Sequence, residues 1–180
     1  MNINEIKSQL TFGGARPSLF KVDITNPING GADFKVPILA QAASLPADNI
    51  GVIEIPYMGR KIKQPGDRTF EEWTVTVMND EDFLIRNALE EWMSAMNTHE
   101  GNIRIGGTSN QLKSQAQVTQ LSKDNNPLRV YNFNGLFPTN ISAIAVDWST
   151  VDDIERFDVT FQYDWWNVSG GITGSANTNS

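Results

Sequence analysis

The sequence contains no cysteine and one histidine, His99, among its 180 residues. Without thiols there is no disulfide, no thiolate zinc site and no cysteine nucleophile. A single histidine at the polar end of a predicted helix supplies neither a Ser-His-Asp relay nor a multi-histidine metal site. Positive charge is also scarce: 14 Lys and Arg against 21 Asp and Glu leave a formal net charge of −7. That balance argues against tight nucleic-acid binding, which draws its affinity from cations on phosphates. Long apolar runs are missing as well. The densest, Ile141 to Val146, falls far short of the ~20 residues of a spanning helix. Met1 to Gly14 lacks the apolar stretch of a secretory signal. A soluble protein made in a cytoplasm, with no membrane anchor, is therefore expected.

Catalytic patterns are equally thin. The adjacent acids Glu71-Glu72, Glu90-Glu91 and Asp152-Asp153 read as solvated charges, since neighbours in a strand point to opposite faces and cannot flank one bond. Asp80-Glu81-Asp82 lacks the glycine and terminal glutamate of a calcium loop. The glycine pairs at Gly13, Gly30, Gly106 and Gly170 stand outside any phosphate-loop setting. The expectation is of no catalytic set, no cofactor and no metal.

What is present is a core. Hydrophobic residues make up 39% of the chain, including 9 Phe, 5 Trp and 3 Tyr, enough for one ordinary domain without staples. Phe20, Val22 and Ile24 alternate with Lys21 and Asp23, the period of a half-buried strand. Phe34 to Ala43 and Val52 to Met58 read as extended but carry Pro37 and Pro56, which suit edges or strand ends. Phe70 to Met78 is a clear strand, with Trp73, Val75 and Val77 on one face and Glu72, Thr74 and Thr76 on the other. Asn79 is a predicted N-cap, followed by acids in the first turn. Ile85, Ala88, Leu89, Trp92 and Met96 then recur at helical spacing, predicting one amphipathic helix that ends near Gly101.

Further strands are expected at Leu128 to Phe133 and Ile141 to Trp148, parted by the Asn134-Gly135 turn signal and Pro138. The best strand closes the series, Phe157, Val159, Phe161, Tyr163 and Trp165 alternating with Arg156, Asp158, Thr160, Gln162 and Asp164. The fold expected is mainly β, a barrel or sandwich of about six to eight strands with one flanking amphipathic α-helix. Open sheets leave unpaired edges, and one way to satisfy them is to pair with further copies of the same chain. The basic cluster Arg60, Lys61, Lys63 and Arg68 around Pro65-Gly66-Asp67 predicts a protruding loop, either a phosphate patch or a dock for acidic residues of another copy, the net charge of −7 favouring protein docking over nucleic acid.

The run from Arg60 to Glu81, RKIKQPGDRTFEEWTVTVMNDE, closely resembles the tail tube proteins of contractile-tailed phages of the T-even type. Three further segments agree in order: Ala15 to Val22, Gly135 to Asn140, and Asp147 through Trp165. The resemblance is weakest from Gly101 to Pro127 and stops at Asn167. It implies one tail-tube domain over residues 1–168, while positions 169–180, mostly Gly, Ser, Thr and Asn with almost nothing to bury, are expected to form a flexible C-terminal tail. It further implies six copies closing into a ring, and rings stacking into the rigid hollow tube inside a contractile sheath, the conduit for genome ejection in the virion. Partners implied are other copies, the sheath protein, and baseplate, tape-measure and tail-terminator proteins, with DNA in transient passage. The alternative is a tube or ring protein of a type VI secretion or related contractile injection system.

A ring of six would carry a formal charge of about −42, and acids in the bore would let phosphates slide without sticking. The lumen-facing positions expected are Glu72, Thr74, Thr76, Asp158, Thr160, Gln162 and Asp164. Ring stacking and subunit contact are expected of Arg16, Tyr57, Arg60, Lys61, Lys63, Gly66, Asp67 and Arg68. Trp73, Trp92, Trp148 and Trp165 are expected to pack in the core.

Overall fold

The computed structural model describes residues 3–10, 14–101, 103 and 109–170. The Gly106-Gly107 pair and positions 171–180 of the expected tail lie outside them, as do parts of the N-terminal segment. The elements run α1 (Ile3–Gln9), β1 (Phe20–Ile24), a 3-10 turn (Gly30–Ala32), α2 (Val36–Leu39), β2 (Ala40–Ala43), β3 (Asn49–Tyr57), β4 (Arg60–Thr69) and β5 (Trp73–Met78). They continue with α3 (Leu84–Met96), α4 (Ser109–Leu112), β6 (Ser114–Leu121), β7 (Pro127–Ile141), β8 (Arg156–Gln162) and β9 (Trp165–Val168). No described helix is long and apolar enough to cross a membrane.

Seven strands form one antiparallel sheet in the order β1-β6-β7-β8-β5-β2, with β9 added beside β7, while β3 and β4 form a separate ribbon. The sheet folds over on itself as an open sandwich; it does not close into a barrel. Its inner face follows the alternation in the sequence: Val75 sits opposite Val159, Trp73 opposite Phe161 and Val77 opposite Phe157, all buried. Trp73 stacks on Phe133 at 4.5 Å, and Phe133 meets Tyr163 edge-on at 4.9 Å. These contacts tie the two layers together.

Strand β7 is the hinge between layers. Its first half pairs with β6 and β9, its second half with β8. The Asn134-Gly135 and Pro138 signals, expected to separate two strands, lie inside this one. Gly135, at φ +69°, is the extra residue of a bulge, since Gln115 pairs with Asn134 and Ser114 with Leu136. A glycine reaches that φ without cost, and a bulge re-aims the strand. Pro138 is fully buried beside a second register shift.

The strand expected over Ile141 to Trp148 ends at Ile141, and residues 142–155 form an irregular loop. Ser142 still bonds the Asp158 carbonyl through its N–H (2.8 Å). Beyond it the apolar run finds no neighbouring ladder, and an Asp147 carboxylate accepting from the Ser149 N–H (2.9 Å) turns the chain. Trp148 is fully exposed (103%) and Trp165 half exposed (48%), against the expectation that both pack. Trp73 and Trp92 are core residues as expected, at 1% and 0% exposure.

Helix α3 buries Ile85, Ala88, Leu89 and Trp92 against the inner sheet face. Its start departs from expectation. Phe83, in a left-handed conformation, precedes the first turn, and the Asp82 carboxylate accepts the Leu84 N–H (3.0 Å). Asn79 is held instead by Glu155, to whose carbonyl its N–H donates at 2.8 Å. Buried Asn26 anchors the helix from below: its Nδ2 donates to the Ala88 carbonyl (2.9 Å), while its Oδ1 accepts from the Ile28 and Asn29 N–H groups. The Phe34 to Ala43 segment, expected as extended, is α2 followed by the short edge strand β2, with Pro37 in the first turn of the helix, where no N–H is missed.

Candidate functional site

No group of three or more His, Cys, Asp or Glu side chains gathers among the described residues. What the fold offers instead is surface, in three places.

The first is the ribbon. The segment expected as a loop is a hairpin of two long strands, 9 residues in β3 and 10 in β4. Tyr57 pairs with Arg60 across a two-residue turn in which Met58 (φ +46°) and Gly59 (φ +82°) are both left-handed, the hairpin turn whose twist matches its strands. Register then sorts the side chains. Ile53, Ile55, Tyr57, Arg60, Ile62 and Gln64 share one face, and Glu54, Lys61 and Lys63 the other. Pro65-Gly66-Asp67 is no turn but a bulge, since Ile50 pairs with Arg68 and Val52 with Pro65, leaving Gly51 opposite two residues. A Cβ on Gly66 would lie 3.2 Å from the Gly51 carbonyl oxygen, so glycine permits this close approach. Lys61 pairs with Glu54 at 2.6 Å and Arg68 with Asp48 at 2.7 Å, while Arg60 and Lys63 have no ion pair among the described residues. The ribbon's isoleucines and Tyr57 are all exposed. An isolated two-stranded hairpin is marginal in water, and this one turns its apolar face to solvent. Arg16 is not brought to it; its carbonyl accepts from Gln120 Nε2 (2.7 Å) beside β1.

The second is the outer face of β5 and β8. Thr74 lies opposite Thr160 and Thr76 opposite Asp158, whose carboxylate accepts the Thr76 hydroxyl at 2.6 Å. These four of the seven positions expected at a lumen form one patch. Gln162 continues it opposite Phe137 on β7, and Glu72 precedes β5. Asp164 stands apart at the corner of β7, ion-paired to Lys113 at 2.7 Å. A second polar face was not foreseen: the outer side of β6, β7 and β9 carries Gln115, Gln117, Asn132, Asn134 and Asn167 around an open groove. Gln117 donates to Asn132 (3.0 Å), which donates to Asn167 (3.2 Å). Their alternation with Ala116, Val118 and Phe133 was the signal available in the sequence.

The third surface, also unforeseen, is the loop 142–155. It exposes Val146, Trp148, Val151 and Ile154 beside Asp147, Asp152, Asp153 and Glu155, with no lysine or arginine. Its mixture of apolar residues and acids, which on its own suggests a strand, is the trace it leaves in the sequence.

Known proteins match this arrangement. The family model for phage tail tube proteins covers residues 15–169. The tail tube proteins of Enterobacteria phages T6 and T4 are each 37% identical over 153 residues, 84% of this chain and 90% of theirs. That of Serratia phage KSP90 is 26% identical, covering 89% of this chain and 93% of its own. Among solved structures, the tube-terminating cap of the anti-feeding prophage superposes with a TM-score of 0.67 at 18% identity, covering 95% of this chain and all of that one. A chain from the extended sheath–tube complex of an extracellular contractile injection system gives 0.60 at 15% identity, covering 94% and 99%. The structural likenesses show a shared fold, and the match over most of the length shows that the chain belongs to the phage tail tube protein family.

Proposed function

We propose that six copies of this chain close into a ring and that rings stack into the rigid inner tube of a contractile phage tail, through which the genome passes into the host. The observation that carries this reading is the uncovered β3–β4 ribbon, a hairpin with an exposed apolar face that a neighbouring copy would bury. The free edges at β1, β2 and β9 give the sheet places to continue between subunits. In this reading Tyr57, Arg60, Lys61, Lys63, Gly66, Asp67 and Arg68 act in ring contact, with Arg16 on a separate subunit boundary. The patch of Thr74, Thr76, Asp158 and Thr160, flanked by Glu72 and Gln162, faces the bore. The sheath protein surrounds the tube, baseplate, tape-measure and terminator proteins set its ends and length, and assembly takes place in the host cytoplasm. The role is structural, with no catalytic step.

The test is negative-stain electron microscopy of the purified chain across concentration and salt, with light scattering for mass, repeated with baseplates added as nuclei. Hollow tubes of six-fold rings are the expected result. A chain that stays monomeric even on baseplates rejects the reading.

A further inference from the structure

We infer that the β3–β4 ribbon of one copy seats on the 142–155 loop of a second copy in the adjacent ring, an inference that rests on the tube reading above. The two surfaces stand at opposite ends of one subunit. The ribbon is rooted at the Trp73 end of β5: Asn49 Nδ2 donates to Glu71, and Trp166 Nε1 donates to the Ala47 carbonyl at 3.3 Å. The loop is rooted at the Met78 end, where the Asn79 side chain donates to the Glu155 carboxylate at 2.9 Å and Met78 pairs with Arg156. Between them lies the length of β5, roughly 17 Å at the rise of a strand.

Their chemistry is complementary. The ribbon carries Arg60, Lys61, Lys63 and Arg68 against Glu54 and Asp67, whereas the loop carries four acids and no cation. Apolar surface is offered on both sides as well: Ile53, Ile55, Tyr57 and Ile62 lie beside Arg60 on one ribbon face, with Lys61 and Lys63 on the other, and Val146, Trp148, Val151 and Ile154 lie on the loop. Arg60 and Lys63 on one side and Asp152 on the other have no ion-pair partner within their own chain among the described residues. Two complementary patches at opposite ends of one subunit make a heterologous contact, which propagates along an axis where its rotation does not close a ring. A self-complementary patch would stop at two copies.

The experiment uses two full-length variants, Arg60→Glu with Lys63→Glu on the ribbon, and Thr150→Lys with Asp152→Lys and Asp153→Lys on the loop, which takes the loop from four negative charges to a net positive one. Both surfaces are exposed, so circular dichroism and melting midpoints should match the unaltered chain. In the first variant both patches are acidic and in the second both are basic, so each alone repels its own kind. Each alone should give rings without tubes, and an equimolar mixture should restore tubes in which the two kinds alternate. If the loop variant stacks as well as the unaltered chain, the loop is not the seat and the pairing falls while the tube reading stands. The pairing falls likewise if that variant stacks but no longer binds the sheath, which would make the loop a sheath contact. A mixture of folded variants that fails to form tubes also overturns the pairing. Failure of the unaltered chain to form tubes on baseplates overturns the tube reading itself, and the pairing with it.

Discussion

The Asp164 carboxylate occupies the space that a Cβ on Gly135 would need, and Lys113 holds it there with both carboxylate oxygens within 2.8 Å. The Asp164 N–H donates to the Asn134 carbonyl at 3.0 Å, so the corner where β8 hands over to β9 is locked onto the bulge of β7. Gly135→Ala should therefore cost about 2–3 kcal/mol, part from a left-handed non-glycine and part from displacing the carboxylate. Urea denaturation measures it. In Asp164→Ala the carboxylate clash disappears and only the retained Cβ, 3.1 Å from the new methyl, still crowds it, so adding Gly135→Ala to that background should cost about 1–2 kcal/mol, less than in the unaltered chain. Equal costs in both backgrounds would remove Asp164 from the account.

The tryptophans divide into two classes that one measurement separates. Trp73 is buried, stacked on Phe133 and bonded through Nε1 to the Ser44 carbonyl (2.9 Å); Trp92 is buried with Nε1 on the Leu112 carbonyl (2.8 Å). Alanine at either should cost on the order of 3–5 kcal/mol. Alanine at exposed Trp148 should change stability by less than about 0.5 kcal/mol, while weakening ring stacking if the loop is an interface. Denaturation midpoints of the three variants, set beside tube yield, give both answers.

The turn between β5 and α3 gives stability a dependence on pH. Lys35 donates to Asp82 and to Asp80 (2.9 Å), closing the α2 segment onto the start of α3. The bond from Lys35, then that from the Leu84 N–H, hold the Asp82 carboxyl below its usual range; the bonds to Asp82 and Asp80 raise the Lys35 ammonium above its own. The Asp82 contribution is complete above the ordinary carboxylate pKa, about 3.9, and is lost as pH falls through the lowered folded value. The Lys35 contribution is complete below about 10.4 and is lost as pH rises through the raised one. Asp33 acts the other way, since burial, only partly offset by the Asn26 N–H, raises its pKa. Its carboxylate therefore costs stability as pH rises from the unfolded value through the folded one. Lys35→Met should flatten the acid limb of a stability–pH curve, and Asp33→Asn should steepen it. A curve unmoved by either change would show that these groups do not set it.

The parts legible in the sequence are those where alternation meets burial. β1, β5 and β8 lie at or near their expected bounds because one face of each, Val75 and Val159 for instance, is apolar and, but for half-buried Phe20 at the start of β1, buried. The departures share a cause, which is that local signals carry no knowledge of the partner strand. Asn134-Gly135 is a strong turn signal, yet β6 and β8 lie alongside to carry the chain through, so the same glycine makes a bulge. Ala143 to Val146 is as apolar as many strands, but β8 is already paired with β5 and β7, and nothing remains to receive it. For the candidate site, the basic cluster around Arg60 was visible as charge. Its geometry, a ribbon with separate apolar and charged faces, needed the register of β3 on β4.

The final prediction concerns which sheet face lines the bore. The β5–β8 face carries hydroxyls and one carboxylate per subunit, Asp158, within its strands, and its one cation, Arg156 at the Met78 end, is paired with Asp153 at 2.7 Å. If this patch faces the bore, Thr74→Lys with Asp158→Lys would turn six repeats of it from acidic to basic, and a passing polyanion would meet attraction where it met none. Both positions are exposed, and the loss of the Thr76 bond to Asp158 is a surface change of about 1 kcal/mol or less. Tubes should therefore assemble to the usual length, while virions built from them eject DNA more slowly, the more so at low salt, where screening is weakest. Asp164 is a poor reporter for this purpose, because its reversal would also break the lock on Gly135. The matching change on the amide face, Gln117→Lys with Asn167→Lys, is the control. Slow ejection from that variant and normal ejection from the first would place the bore against β6 and β9.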